Sequence, residues 1–185
     1  GSATDTLDAD GNVILAKPIP ELTESKIATV LSALTGTQMQ VPPMVSALKY
    51  QGQPLYKLAR QGKQVERSPR LIQIFSNHLL QFDVNEGWID ICVRCSKGTY
   101  IRSLAESIGD ALGSVAHLSR LRRDLSGGFS LEQAHAWNEL ESLQDNDSSL
   151  IDSSLLPIDA ILSHFPRVDL TENECTILIC LLYTS

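Results

Sequence analysis

The stretch Trp88-Ile89-Asp90-Ile91-Cys92-Val93-Arg94-Cys95-Ser96-Lys97-Gly98-Thr99-Tyr100-Ile101-Arg102-Ser103-Leu104-Ala105 changes its period partway along. As far as Arg94, the apolar Ile89, Ile91 and Val93 alternate with Asp90, Cys92 and Arg94, the period of a strand with one buried face. From Ile101 the apolar positions are Ile101, Leu104, Ala105, Ile108 and Leu112, which is helical spacing ending near Gly113. Ser96 to Arg102 is therefore a strand-to-helix junction, where helix N-terminal amides and polar side chains face outward together. Such a junction is a natural place for a site.

Working outward, Arg70 to Phe75 and Leu79 to Val84 are also β-rich. With breaks at Ser76-Asn77 and Asn85-Glu86-Gly87, they predict with Trp88 to Arg94 an antiparallel meander. Thr23 to Leu34 predicts a helix with Thr23 as N-cap and Gly36 closing it. The stretch from Gln38 to Arg70, with Pro42-Pro43, Gly52 and Gly62, reads as loop enclosing a short amphipathic helix from Pro54 to Arg60. The acidic Thr4 to Gly11 is a turn that leads into a short strand at Asn12 to Leu15. Downstream, Ala116 to Arg122 reads as a turn or short element, Gly127 to Leu131 as a strand start and Ala136 to Leu143 as a short helix. This order predicts an α+β fold, a mixed and mainly antiparallel sheet flanked by helices, with a long insertion.

No run reaches the roughly 18 apolar residues of a membrane span, and the start lacks the basic and apolar regions of a signal peptide. The expectation is a cytoplasmic protein without membrane association. Cys92, Cys95, Cys175 and Cys180 are too few and too scattered for a disulfide framework. Cys92 and Cys95 form a CxxC inside a strand pattern with no second pair to complete a zinc set. The Asp5, Asp8, Asp10 spacing lacks the Glu and flanking helices of a calcium loop. No metal is expected.

The net charge of −7 conceals an uneven distribution. Residues 1 to 48 carry −3, residues 49 to 123 carry +6, and residues 124 to 185 carry −10. Twelve of the fifteen Lys and Arg lie in the middle segment, as expected of a localised phosphate-binding surface. Within residues 42 to 70, Lys49, Lys57, Arg60, Lys63, Arg67 and Arg70 face only Glu66, interleaved with Tyr50 and Tyr56. Lysine and arginine in such a loop would meet phosphates, and the tyrosines would stack on bases or anchor the loop. A long insertion with little core pattern is expected to be poorly ordered without RNA.

Several segments read together resemble the TruB pseudouridine synthase family. They are Thr4-Asp5-Thr6 with Asp8 to Gly11, Gln40 to Gly52 continuing through Leu55-Tyr56 and Ala59 to Gly62, Cys95 to Arg102, Ala116-His117 and Leu121 to Arg123. The resemblance implies conversion of uridine 55 in the T loop of tRNA to pseudouridine, without cofactor or metal. The N-glycosidic bond breaks and the sugar rejoins at C5 of a base extruded into the pocket. It further implies that Tyr100 lies against the target uridine and that Arg102 pairs with the nucleophilic aspartate. Leu121 and Lys97 are expected to contact substrate, and residues 42 to 70 correspond to an RNA-binding thumb. The partner implied is the tRNA T stem-loop, bound by a monomer.

The nucleophilic aspartate of this family lies in a Leu-Asp-Pro motif upstream of Thr4-Asp5-Thr6, and neither that motif nor a C-terminal PUA module is found in these residues. The chain therefore reads as a fragment, inactive alone, of which residues 3–174 belong to the catalytic domain. Gly1-Ser2 reads as the remnant of a cleaved expression tag, and the uncharged residues 175–185 as a tail foreign to the natural sequence, with a native amphipathic or partner-binding tail as the alternative. Other readings stay open: a guide-RNA-dependent, dyskerin-like synthase, a non-catalytic RNA-binding module, or a metabolic enzyme of unrelated class that would bind no RNA.

Overall fold

The backbone of the computed structural model is organised around β6 (Arg70–Asp83), a 14-residue strand that lies between Gly36–Gln40 and Trp88–Cys95 in a three-stranded antiparallel sheet. The structure describes residues 1–146, 152 and 154–182. They form two compact units, Gly1–Leu121 and Arg122–Ser185.

In the first unit, a hairpin of β1 (Ser2–Thr4) and β2 (Val13–Ala16) precedes helix α1 (Glu24–Ala33) and strand β3 (Gly36–Gln40). The small hairpin β4 (Lys49–Tyr50) and β5 (Gln53–Pro54) then leads into α2 (Leu55–Arg60). After β6 come β7 (Trp88–Cys95) and α3 (Ile101–Ala111). Thr23 caps α1 as expected, its Oγ1 accepting from the Lys26 amide at 3.3 Å.

Alternation on β6 turns Ile72 and Ile74 to one face, where Ile27 and Leu31 of α1 and Leu104, Ile108 and Leu112 of the α3 region close over them. Ile27, Leu31, Ile74 and Leu104 are buried almost completely. Leu71 and Phe75 lie on the other, exposed face. The meander needs one correction. Ser76-Asn77 does not break the chain into two strands; the register shifts between Ile74 and Ser76 while β6 continues, so the break in alternation is a bulge and the sheet gains its third strand from β3. That strand, Gly36–Gln40, takes in the first residues of the expected Gln38 to Arg70 loop; its one strongly apolar side chain, Met39, is exposed, so it shows no alternation.

In the second unit, β8 (Leu125–Ser126) pairs with β9 (Phe129–Ser130), followed by a 3-10 turn at Leu131–Gln133 with a Ser130–Gln133 capping box. Helix α4 (Trp137–Asn146), a 3-10 turn at Ile158–Leu162 and α5 (Glu172–Leu182) follow among the described residues. Thr171 and Glu174 cap α5 reciprocally, Thr171 N donating to Glu174 Oε2 at 2.8 Å and Glu174 N to Thr171 Oγ1 at 3.4 Å. The uncharged run from Cys175 thus continues a helix begun at Glu172; residues 183–185 lie outside the described residues.

Gly109 sets how closely α3 approaches the chain that follows it. A Cβ there would lie 2.5 Å from the Ala116 amide nitrogen and 2.8 Å from both Ala116 Cβ and the Val115 carbonyl carbon. Gly to Ala in a helix gains about 1 kcal/mol of propensity. Overpacking against backbone costs about 1–3 kcal/mol. The clash should win, so Gly109→Ala is expected to lower the Tm in a thermal melt, and a raised Tm would show that the 115–116 segment yields.

Candidate functional site

Between β7 and α3 the chain turns through residues 96–99, with Gly98 at φ 82. Ser96 prolongs the pairing with β6, its amide donating to Gln73 O at 2.8 Å and its Oγ accepting from Gln73 N at 3.0 Å. Tyr100 is the N-cap of α3 in extended conformation, which leaves Arg102 in the first helical turn. The Arg102 guanidinium is partly enclosed and makes three contacts. Nη1 donates to Asp8 Oδ2 at 3.0 Å and to Thr6 O at 3.2 Å, and Nη2 donates to Val45 O at 2.7 Å.

The β1–β2 loop is built to present Asp8. Asp5 ties the loop's ends, its carboxylate accepting from Asn12 N at 2.9 Å and from Asn12 Nδ2 at 3.2 Å. Thr4 Oγ1 donates to Asp8 O at 2.6 Å, and Thr6 Oγ1 donates to Asp8 Oδ1 at 2.6 Å. Asp10 N adds a further bond to Asp8 Oδ1 at 3.2 Å. Gly11 fits because a Cβ would collide with Thr6 Oγ1 and the Asp5 carboxylate. Leu7 takes a left-handed φ of 63, its carbonyl accepting from Leu118 N at 2.9 Å. The Thr6 hydroxyl, then the Arg102 charge and the Asp10 amide, hold the Asp8 carboxyl below its ordinary value, outweighing the upward push of partial burial.

The basic insertion leaves β3 and returns to β6 with its own internal structure. Leu55 and Leu58 of α2 are buried, as is Ser46. The Leu48 carbonyl accepts from Leu55 N at 2.7 Å, and Ser46 O accepts from Tyr56 N at 3.0 Å. Lys49, Lys57, Arg60, Lys63 and Arg70 are exposed, and Tyr50 is exposed beside Lys49. Arg60 lies over the Tyr56 ring, 5.6 Å from its centroid. Arg67 is placed differently: half-buried, its Nη1 donates to Pro42 O at 3.0 Å and so fastens the end of the insertion to its beginning. One turn beyond Arg102, burial and then Asp110 push the Glu106 carboxyl above its ordinary value, against the pull of Arg67.

Of the residues singled out in the sequence, Tyr100 and Arg102 sit together at the helix start, Lys97 is exposed in the preceding turn, and Leu121 is exposed at the end of the first unit. The expected partner of Arg102 is the nucleophilic aspartate outside these residues; in the structure the guanidinium also meets Asp8, 94 positions away, which belongs to the Thr4 to Gly11 signature but carries no expected site role. Gln40, which opens the second segment of the resemblance, likewise carries none. The signal for Asp8 was the density of Thr, Asp and Gly around it, which marks a loop tied by side-chain hydrogen bonds.

These features define a helix-start arginine clamped to an acidic hairpin and to the root of a basic insertion. A model described as TruB family pseudouridylate synthase (N terminal domain) matches residues 1–101, and one described as tRNA pseudouridylate synthase B C-terminal domain matches residues 102–163. The chain belongs to the TruB family of pseudouridylate synthases. Its relatives include proteins named tRNA pseudouridine synthase B from Chromohalobacter salexigens, 48% identical over 173 residues, and Neisseria gonorrhoeae, 43% identical over 180 residues. The alignments cover 94% and 97% of this chain but 55% and 57% of those relatives, so the chain spans little more than half their length. Among solved structures, a chain from the crystal structure of a Cbf5-Nop10-Gar1 complex superposes with a TM-score of 0.67 at 25% identity, over 90% of this chain and 46% of that one.

Because the folded Asp8 carboxyl titrates below its unfolded value of 3.8, its stabilisation is present in full above that value and is lost as pH falls through the lower folded one. Asp8→Asn should lower stability at pH 7 by about 1 kcal/mol, a figure discounted for the pair's partial exposure. The deficit relative to wild type should shrink near pH 3. Urea midpoints at both pH values check this, and an equal deficit at both would mean that the charge on Asp8 is not what Arg102 holds.

Proposed function

We propose that this chain is part of an enzyme that isomerises uridine 55 in the T loop of tRNA to pseudouridine. The observation that carries the reading is the Arg102 clamp at the root of a basic insertion, in a chain of the TruB family. An arginine has five N–H donors, and three of the contacts they can make go to Asp8, Thr6 and Val45. The rest suit a second carboxylate, the nucleophile that the resemblance places upstream of Thr4, which a held guanidinium would orient and keep ionised. Tyr100 would wall the uracil pocket, with Leu121 and Lys97 contacting the substrate. Asp8 is not the nucleophile in this scheme, because its oxygens are already engaged by Thr6, Asp10 and Arg102.

The exposed Lys49, Lys57, Arg60, Lys63 and Arg70 would receive phosphates of the T stem-loop, with Tyr50 stacking and Arg67 closing the loop from within. The proposed enzyme acts as a cytoplasmic monomer and needs neither metal nor cofactor. Among the described residues no helix is long and apolar enough to cross a membrane.

The test is release of tritium from C5-tritiated uridine in a T stem-loop RNA, measured on the full-length protein that carries this chain. Wild type should release label stoichiometrically with pseudouridine. Arg102→Ala should slow turnover far more than it weakens binding. Lys57→Ala and Lys63→Ala should each weaken binding and reduce the slope of log affinity against log salt by about 1. The reverse division of effects, or an active protein indifferent to Arg102, would overturn the proposal.

A further inference from the structure

Gln40 stands apart from the residues considered so far. It is the last residue of β3, two positions before the insertion, yet its side chain reaches across 60 positions of sequence to the helix start. Its Oε1 accepts from Tyr100 N at 2.8 Å and its Nε2 donates to Tyr100 O at 3.1 Å. The side-chain amide thus meets both backbone groups of Tyr100 in the way a neighbouring strand would. The flipped amide would oppose donor to donor and acceptor to acceptor, so the two bonds also fix its orientation.

Tyr100 needs such an outside partner. It is the N-cap of α3, its φ of −95 and ψ of 109 are extended, and its own side chain makes no capping bond. Its carbonyl also accepts the first helical bond, from Leu104 N at 3.1 Å. Without Gln40, the Tyr100 amide would lose its partner at a half-buried position and the residue would be held only from its C-terminal side. Since the backbone dihedrals of Tyr100 set the direction of its Cα–Cβ bond, they also set where the ring can go. The contact is reinforced next door, where Ser103 Oγ donates to Val41 O at 3.3 Å.

We propose that Gln40 is a positioning residue: its amide holds the backbone of Tyr100 so that the ring stands correctly against the target base, and it ties that placement to the root of the insertion. The inference rests on the reading of Tyr100 as a wall of the base pocket. Misplacing a wall by a fraction of an ångström to one ångström lowers the rate without abolishing RNA binding, because phosphate contacts supply most of the affinity. Gln40→Leu keeps the approximate size of the side chain and removes both bonds.

Two measurements test it. In the first, this chain is labelled with 3-fluorotyrosine and the Tyr100 line of the 19F spectrum is assigned with Tyr100→Phe. Gln40→Leu should shift or broaden that line and leave those of Tyr50 and Tyr56 in place; an unmoved Tyr100 line overturns the proposal. In the second, single-turnover rates at saturating T stem-loop RNA are measured for the full-length protein in a double-mutant cycle with Tyr100→Ala. Gln40→Leu should slow the wild type by roughly 10- to 100-fold with RNA affinity within about twofold, and should have little further effect once the ring is gone. Equal losses in both backgrounds, or a loss confined to affinity, would overturn it. Should Gln40→Leu not fold, Gln40→Glu, which keeps the acceptor and loses the donor, is read by the same two criteria. A wild type that makes no pseudouridine would refute the enzymatic reading instead, leaving the 19F result to decide whether Gln40 holds Tyr100.

Discussion

The guanidinium of Arg102 is the joint on which the site depends. In one residue at the start of α3, bonds of 2.7 to 3.2 Å converge from the hairpin loop, through Thr6 O and the Asp8 carboxylate, and from the insertion, through Val45 O. None of these segments is adjacent in sequence, and neither loop has a large core of its own. A planar cation with donors in a fixed fork can hold a carboxylate and two carbonyls at once, whereas a lysine ammonium on its flexible stem cannot reproduce that geometry. The sheet and its two helices provide the rigid base: Leu104, two residues on, is locked under β6 in the same core as Ile27 and Ile74.

This arrangement places function at the edge of the core. Leu104 and Ile108 point into the sheet while Tyr100 and Arg102 precede them on the turn, so the same helix start that anchors the fold also aims the polar groups. The acidic loop is rigid for local reasons, since Asp5, Thr4, Thr6 and Gly11 complete its hydrogen bonds internally. The negative charge of Asp8 is then balanced by Arg102, outside the insertion, and Lys49, Lys57, Arg60, Lys63 and Arg70 of the insertion stay exposed. A chain with net charge −7 can thereby keep a basic face.

Much of the scaffold was legible from periodicity. The helical spacing of Ile27, Val30, Leu31 and Leu34, and of Leu104, Ile108 and Leu112, marked the two helices over the sheet, and alternation marked β7. The pattern failed where the backbone departs from regular geometry. A bulge after Ile74 reversed the alternation and made one strand look like two, and the polar edge strand β3 offered no alternation to read. Asn77, buried on β6 with neither amide atom partnered, is a further departure from strand patterning, and nothing in the structure explains it. The site divides in the same way. Tyr100 and Arg102 stood out at the junction of two periods, but their partners Gln40 and Asp8 lie 60 and 94 positions away, and contacts made by single polar side chains across such distances leave no periodic trace.

Hydrogen exchange on this chain with Arg102→Lys tests the central claim that one guanidinium holds the hairpin loop and the root of the insertion together. The account predicts faster amide exchange in residues 4–12 and 41–56 alike, with the amides of β6 around Ile72 and Ile74 unchanged. Faster exchange in only one of the two segments, or in neither, would contradict it.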